Sequence, residues 1–199
     1  MNPAFKAGPH KTVTGKFPAA YAQLLAELFN ELLALLGAEQ APAAAARSTD
    51  PLAIELGLAD LGLAELDPDH PAPAAPKDPA LARLFPDAYR EDPDAAAEFR
   101  RYTEPDLMAE KRGRAETVLG SLRRIPAGGK LTLAADEAAS WLTSLNDLRL
   151  VLGTQLGIVE DEQAIAQSPD PDDPRNYLIS IYYYLTYLQE TLVGALSKI

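Results

Sequence analysis

Apolar residues return every three to four positions through four long stretches of the chain, and each such stretch predicts a helix with one buried side. In "PAAYAQLLAELFNELLALLG", residues 18–37, that side holds Leu24, Leu25, Phe29, Leu32, Leu33 and Leu36. Pro18 suits a first turn and Gly37 a C-terminal stop. In "TEPDLMAEKRGRAETVLGSLRRI", Thr103 predicts an N-cap, and Leu107, Val118, Leu122 and Ile125 line one face. Lys111 falls inside that stripe, so its stem is expected to pack while its ammonium reaches water. A third helix is predicted from about Ala135 through Leu156. The last, "RNYLISIYYYLTYLQETLVGALSKI", would bury Leu178, Ile181, Leu185, Leu188, Leu192 and Leu196.

Between these stretches the pattern breaks. Seven prolines lie from Pro42 to Pro79, among alanine runs, and residues 38–77 predict a Pro/Ala-rich linker. Three Asp-Pro pairs, at 50–51, 78–79 and 92–93, predict starts of short helices, with Asp as cap and Pro in the first turn. "PAGG" at 126–129 predicts a turn. "TVTGKF" and "KLTL" are short β-prone segments, each preceding a long helix, and their pairing would make a two-stranded ribbon. The expected fold is therefore mainly α. It is a compact multi-helix bundle with at most a small two-stranded ribbon. Residues 1–37 form an N-terminal segment and helix, and 78–199 a helical core that packs with helix 18–36 as one domain.

One helix carries a charge where the stripe should be apolar. On a projection of 100° per residue, Trp141, Leu142, Leu145, Leu148, Leu152 and Leu156 share a sector about 120° wide. Arg149 projects between Leu142 and Leu156, with Asn146 at the sector's edge. A buried guanidinium keeps its charge and needs an acceptor. Asp147 projects elsewhere, so the acceptor is expected on another helix. Gln189 stands in the last helix's own stripe. Asn146, Arg149 and Gln189 thus form either a buried polar pin that fixes helix register or part of a cleft for an anion or a partner carboxylate.

Composition narrows the chemistry. The chain has 199 residues, no cysteine and a formal charge of −11. Disulfides and thiolate chemistry are excluded, and direct nucleic-acid binding is disfavoured. The charge is uneven. Arg100 to Lys130 holds eight bases against four acids, whereas 159–173 holds six acids and no base. Arg100, Arg101, Arg112, Arg114, Arg123 and Arg124 form either a solvated helix face or a docking face for an acidic partner. Tyr182 is expected in the core, with Tyr183 and Tyr187 on the opposite side of the helix, either packed or offered to a partner. The two histidines, His10 and His70, fall in segments without periodicity. No catalytic motif occurs, and "DPDDP" lacks the glycine and distal Glu of a calcium loop. No enzyme activity, cofactor or metal is expected. With no secretory h-region and no uninterrupted apolar stretch of membrane-spanning length, a cytoplasmic location is expected.

Three blocks carry a resemblance: "LFPDAYREDPDAAAEFRRYTEPDLMAEKRGRAETVL", "WLTSLNDLRLVLGTQLGI" and "YYYLTYLQETLVGAL". In this order they resemble the signature blocks of the bacterial domain-of-unknown-function family two-thousand-seventeen. That family includes the AosR-type oxidative-stress transcriptional regulators. The likeness covers residues 78 to 199, thins over the N-terminal helix and is absent in the linker. It implies a cytoplasmic helical regulator that engages a sigma factor or RNA polymerase, and it implies oxidant sensing through a cysteine pair, which this chain lacks. The alternative is a helical scaffold or adaptor with no transcriptional role. Homo-oligomerisation is left open.

Overall fold

A computed structural model describes residues 4–38, 74–126, 129–158, 170 and 172–199. The 38–77 linker lies almost wholly outside these residues, as do its helical patch at 50–58 and His70. The described chain runs β1 (Phe5–Ala7), β2 (Val13–Lys16), α1 (Ala19–Ala38), α2 (Pro79–Leu84), α3 (Pro93–Arg123), β3 (Lys130–Leu133), α4 (Ala135–Leu156) and α5 (Pro174–Leu196). It falls into two compact units. One comprises Met1–Leu33 with Lys111–Ile199, the other Ala34–Glu110.

The first unit holds the sheet. "TVTGKF" and "KLTL" do pair, antiparallel, in the register Val13↔Leu133 to Lys16↔Lys130. The ribbon is nevertheless three-stranded, because β1 adds on β2 from Phe5↔Gly15 to Ala7↔Val13. A three-residue strand between Pro3 and Gly8 is too short to show alternation. Its connection depends on His10 and Lys11, which both take positive φ of 54° and 56°, while Thr12 N–H returns to the Pro9 carbonyl. Two successive left-handed residues give a turn whose twist suits a hairpin.

The sheet's inner face sets the core. Phe5, Val13, Leu131 and Leu133 are buried at alternate positions. Beneath them sits Trp141, with Phe5 and Phe29 edge-on at 5.4 and 6.2 Å and Phe17 tilted at 5.8 Å between ring centroids. Its indole N–H donates to Ser121 Oγ at 2.8 Å, so the polar end of the ring is satisfied inside the core. Leu25, Leu28, Phe29 and Leu32 of α1 are buried, as are Ile181, Leu185, Leu188 and Leu192 of α5. By length and composition α1 is apolar enough to cross a membrane, although Glu27 and Glu31 interrupt it, and its Leu25, Leu28, Phe29 and Leu32 are buried. Gly129, with φ +70°, lets β3 approach β2 closely: a Cβ there would meet the Phe17 carbonyl oxygen at 2.5 Å.

The second unit holds α2 and the first part of α3. Asp78 caps α2, accepting from Ala80 N–H at 2.7 Å and Leu81 N–H at 3.2 Å, and Asp92 accepts from Ala95 N–H at 3.0 Å. Both Asp-Pro starts therefore form, the one at 78–79 opening a six-residue helix as expected and the one at 92–93 a helix of 31 residues instead of a short one. Thr103 does not cap a new helix. α3 continues through it and through Pro105, and the Thr103 hydroxyl donates back to the Phe99 carbonyl at 2.9 Å. Leu107, expected on the buried stripe, is exposed, and its neighbour Met108 is buried instead.

Candidate functional site

α4 positions the polar residues of interest. Glu137 turns back to the Ala134 N–H at 3.0 Å and also accepts from Arg124, which fixes the helix start. Gly157, with φ 71°, ends the helix in the left-handed conformation, and Arg175 donates to the Leu156 carbonyl at 3.3 Å. Between these ends, Trp141, Leu145, Leu148, Leu152 and Leu156 are buried and Leu142 is half-buried.

Arg149 reaches α5. Its Nη1 donates to Gln189 Oε1 at 2.7 Å, its Nη2 to the Tyr182 hydroxyl at 3.2 Å, and its guanidinium carbon stands 5.3 Å from the Tyr182 ring centroid. Both acceptors are neutral, and the ring face offers partial negative charge. Arg149 is half-buried as a residue and not a core residue, although its Nε is shielded from solvent. Asn146 is also half-buried, and the Arg149–Gln189 contact forms without it.

A second charge on α4 went unpredicted. Asp147 is 2% exposed and accepts from Lys111 Nζ at 2.7 Å. The Lys111 ammonium, expected to reach water, is bound to a buried carboxylate, and its side chain is 15% exposed. Burial raises the Asp147 pKa, and the Lys111 hydrogen bond and charge, with Arg114 nearby, pull it down by less. Such a pair holds a charge in place within the fold. Ser144, on the same helix, is fully buried.

The six arginines do not make one exposed face. Arg100 and Arg101 belong to the second unit, where Arg100 is buried and paired with Asp87. Arg112, Arg114, Arg123 and Arg124 belong to the first. Arg112 and Arg114 are half-buried, Arg123 is exposed, and Arg124 is exposed but bound to Glu137. On α5, Tyr182 is buried at 5%, whereas Tyr183 and Tyr187 are 47% and 38% exposed. Tyr177, at 62%, extends the exposed aromatic side. Tyr184 packs on Tyr21 at 5.3 Å, and burial raises its pKa. Among the described residues no group of three His, Asp or Glu side chains could hold a metal ion.

Comparison with known proteins gives this arrangement a relation. A family model described as a domain of unknown function, DUF2017, matches residues 1–196. The chain belongs to this family. The match reaches the N-terminal helix and the linker, where the sequence blocks alone carried little likeness. The chain is 35% identical over 131 residues to the oxidative stress regulator AosR of Mycobacterium tuberculosis and to that of Mycobacterium bovis, which covers 59% of this chain and 58% of the relatives. It is 34% identical over 134 residues to an AosR-named protein of Mycobacterium leprae, covering 61% and 59%. The chain thus spans less than two thirds of those relatives' own length. No solved structure matches it.

Proposed function

We infer that this chain is a non-enzymatic cytoplasmic regulator that acts by protein–protein contact in a stress response, at the level of transcription. The observation that carries this is membership of the family together with 34–35% identity to relatives named oxidative stress regulators. The chemistry of the described residues agrees with it. The two charges inside α4 are answered from within the fold, by Gln189 and Tyr182 and by Lys111. Contact then falls to the surface, where Tyr177, Tyr183 and Tyr187 on α5 offer large, rigid, amphipathic side chains of the kind enriched at interfaces. Of the six arginines, Arg123 is the one that is exposed without an acidic partner drawn from α4. A sigma factor or RNA polymerase is the partner that the family resemblance suggests. With no cysteine in the chain, its signal cannot be thiol oxidation of its own residues.

Co-purification of the tagged full chain from oxidant-stressed cells tests this reading. Recovery of a sigma factor or polymerase subunit, lost in Tyr183→Ala/Tyr187→Ala, is the expected result. Recovery of neither, from cells that express both, would defeat it.

A further inference from the structure

In a chain of net charge −11, no Asp or Glu occurs in residues 1–26 or 117–135. Those two spans contain all three strands, and they carry Lys6, Lys11, Lys16 and Lys130. The sheet is therefore a positively charged element in an acidic protein. Its inner face is apolar, so strand alternation places the polar residues together on the outer face. Lys6, Thr14 and Thr132 lie in one file across the three strands, and Lys16 and Lys130 lie opposite each other in the next. All three of these lysines are exposed.

The hydrogen-bond phase locates a second feature. Phe17 N–H donates to the Gly129 carbonyl at 2.6 Å, so 17/129 is a hydrogen-bonded pair. Antiparallel pairs alternate, which makes Gly15/Leu131 and Val13/Leu133 hydrogen-bonded and Thr14/Thr132 and Lys16/Lys130 non-hydrogen-bonded. Two consequences follow for β3. Lys16 and Lys130 sit at the closer kind of cross-strand position, with Cα atoms roughly 4.5 Å apart, where like charges are destabilising. The backbone N–H and C=O groups of Lys130 and Thr132 point away from β2, at the outer edge of the sheet. β1's outer edge differs, since Phe5 N–H there is taken by Thr191 Oγ1 at 3.2 Å.

The structure assigns the β3 edge as a docking site for an extended acidic polypeptide, which adds as a fourth strand. Backbone groups of Lys130 and Thr132 supply the ladder. Side chains opposite them fall on the outer face, so a guest carboxylate facing Lys130 would draw its ammonium away from Lys16, one strand further in, and relieve their repulsion. A nucleic acid would use the lysines but has no ladder for this edge, and the outer face carries Lys and Thr without an aromatic ring on which a base could stack. This assignment does not depend on which partner co-purification recovers.

The test is an amide NMR titration of the full chain with a short synthetic peptide alternating Glu with Val, with its Gln-for-Glu counterpart, and with a short DNA duplex. The acidic peptide is expected to slow hydrogen exchange at the Lys130 and Thr132 amides roughly tenfold or more, and the Gln peptide to do so less. Lys130→Glu should weaken the acidic peptide roughly tenfold. Thr132→Pro, which removes an outward N–H and leaves every lysine in place, should abolish the protection. Trp141 fluorescence reports that both variants remain folded. Exchange unchanged by the acidic peptide, equal protection by the Gln peptide, or binding by the duplex alone would overturn the assignment. Those results would leave Lys130 as a charge that merely keeps strangers off a free edge.

Discussion

α4 carries two charges two residues apart, and they live in different worlds. Arg149 is half-buried and bonds across to α5, to the Gln189 amide and the Tyr182 hydroxyl and ring. Asp147 is 2% exposed and answered by an ammonium at 2.7 Å. A carboxylate taken out of water needs an opposite charge, and even with Lys111 present burial still raises its pKa. The lesson is that exposure, more than the charge itself, decides how much a polar residue in a helix matters to the fold.

The largest effect should come from removing one half of the buried pair. Lys111→Met leaves Asp147 as an uncompensated carboxylate and should cost about 3–5 kcal/mol at neutral pH by chemical denaturation. Part of that loss should return on acidification, as Asp147 takes up a proton. Lys111→Met/Asp147→Leu, which removes both charges, should recover most of the stability at every pH. If the single and double variants are equally unstable, the pair is not what holds this part of α4.

Arg149→Met should cost less, about 1–2 kcal/mol, because Arg149 is half-buried where Asp147 is fully buried. A loss as large as that of Lys111→Met would erase the distinction between the two sites.

The pH dependence sharpens it further. The folded state raises the Asp147 pKa above its unfolded value, so the folded chain holds this proton more tightly. The residue's contribution to stability is therefore full below the unfolded carboxylate range and declines as the pH rises through the raised value. Carboxyl NMR should show Asp147 titrating above its ordinary value of 3.8, and further above it once Lys111 is replaced by Met. Titration at or below that value would mean that the Lys111 charge outweighs burial. The smallest effect is expected at the surface, where Tyr183→Ala and Tyr187→Ala should each move stability by no more than about 0.5 kcal/mol.

Periodicity made one of these sites legible and hid the other. Gln189 could be read as the neighbour of Arg149 because both stand in apolar stripes of long helices. Asp147 could not, because it projects off the α4 stripe; a single-stripe projection does not show that a helix is buried on a second side. Lys111 was visible in its stripe, but nothing local said what waited for its ammonium. The pairing of β2 with β3 was readable from two alternating tetrads, whereas three-residue β1, joined through the His10–Lys11 turn, offered no alternation. Punctuation misled in α3. Thr103 looks like a helix start, yet its hydroxyl back-bonds to the Phe99 carbonyl and the helix runs through it and through Pro105. A count of basic residues likewise reports charge and not exposure, and Arg100 is buried against Asp87.

The central claim is that the α4 charges serve the fold while the partner contact is made elsewhere. Arg149→Met tests it most directly, when its unfolding free energy and its recovery of sigma factor or polymerase from stressed cells are measured in parallel. The account predicts reduced stability with undiminished recovery while the variant is folded. Native stability with lost recovery would place Arg149 in a binding cleft and contradict it.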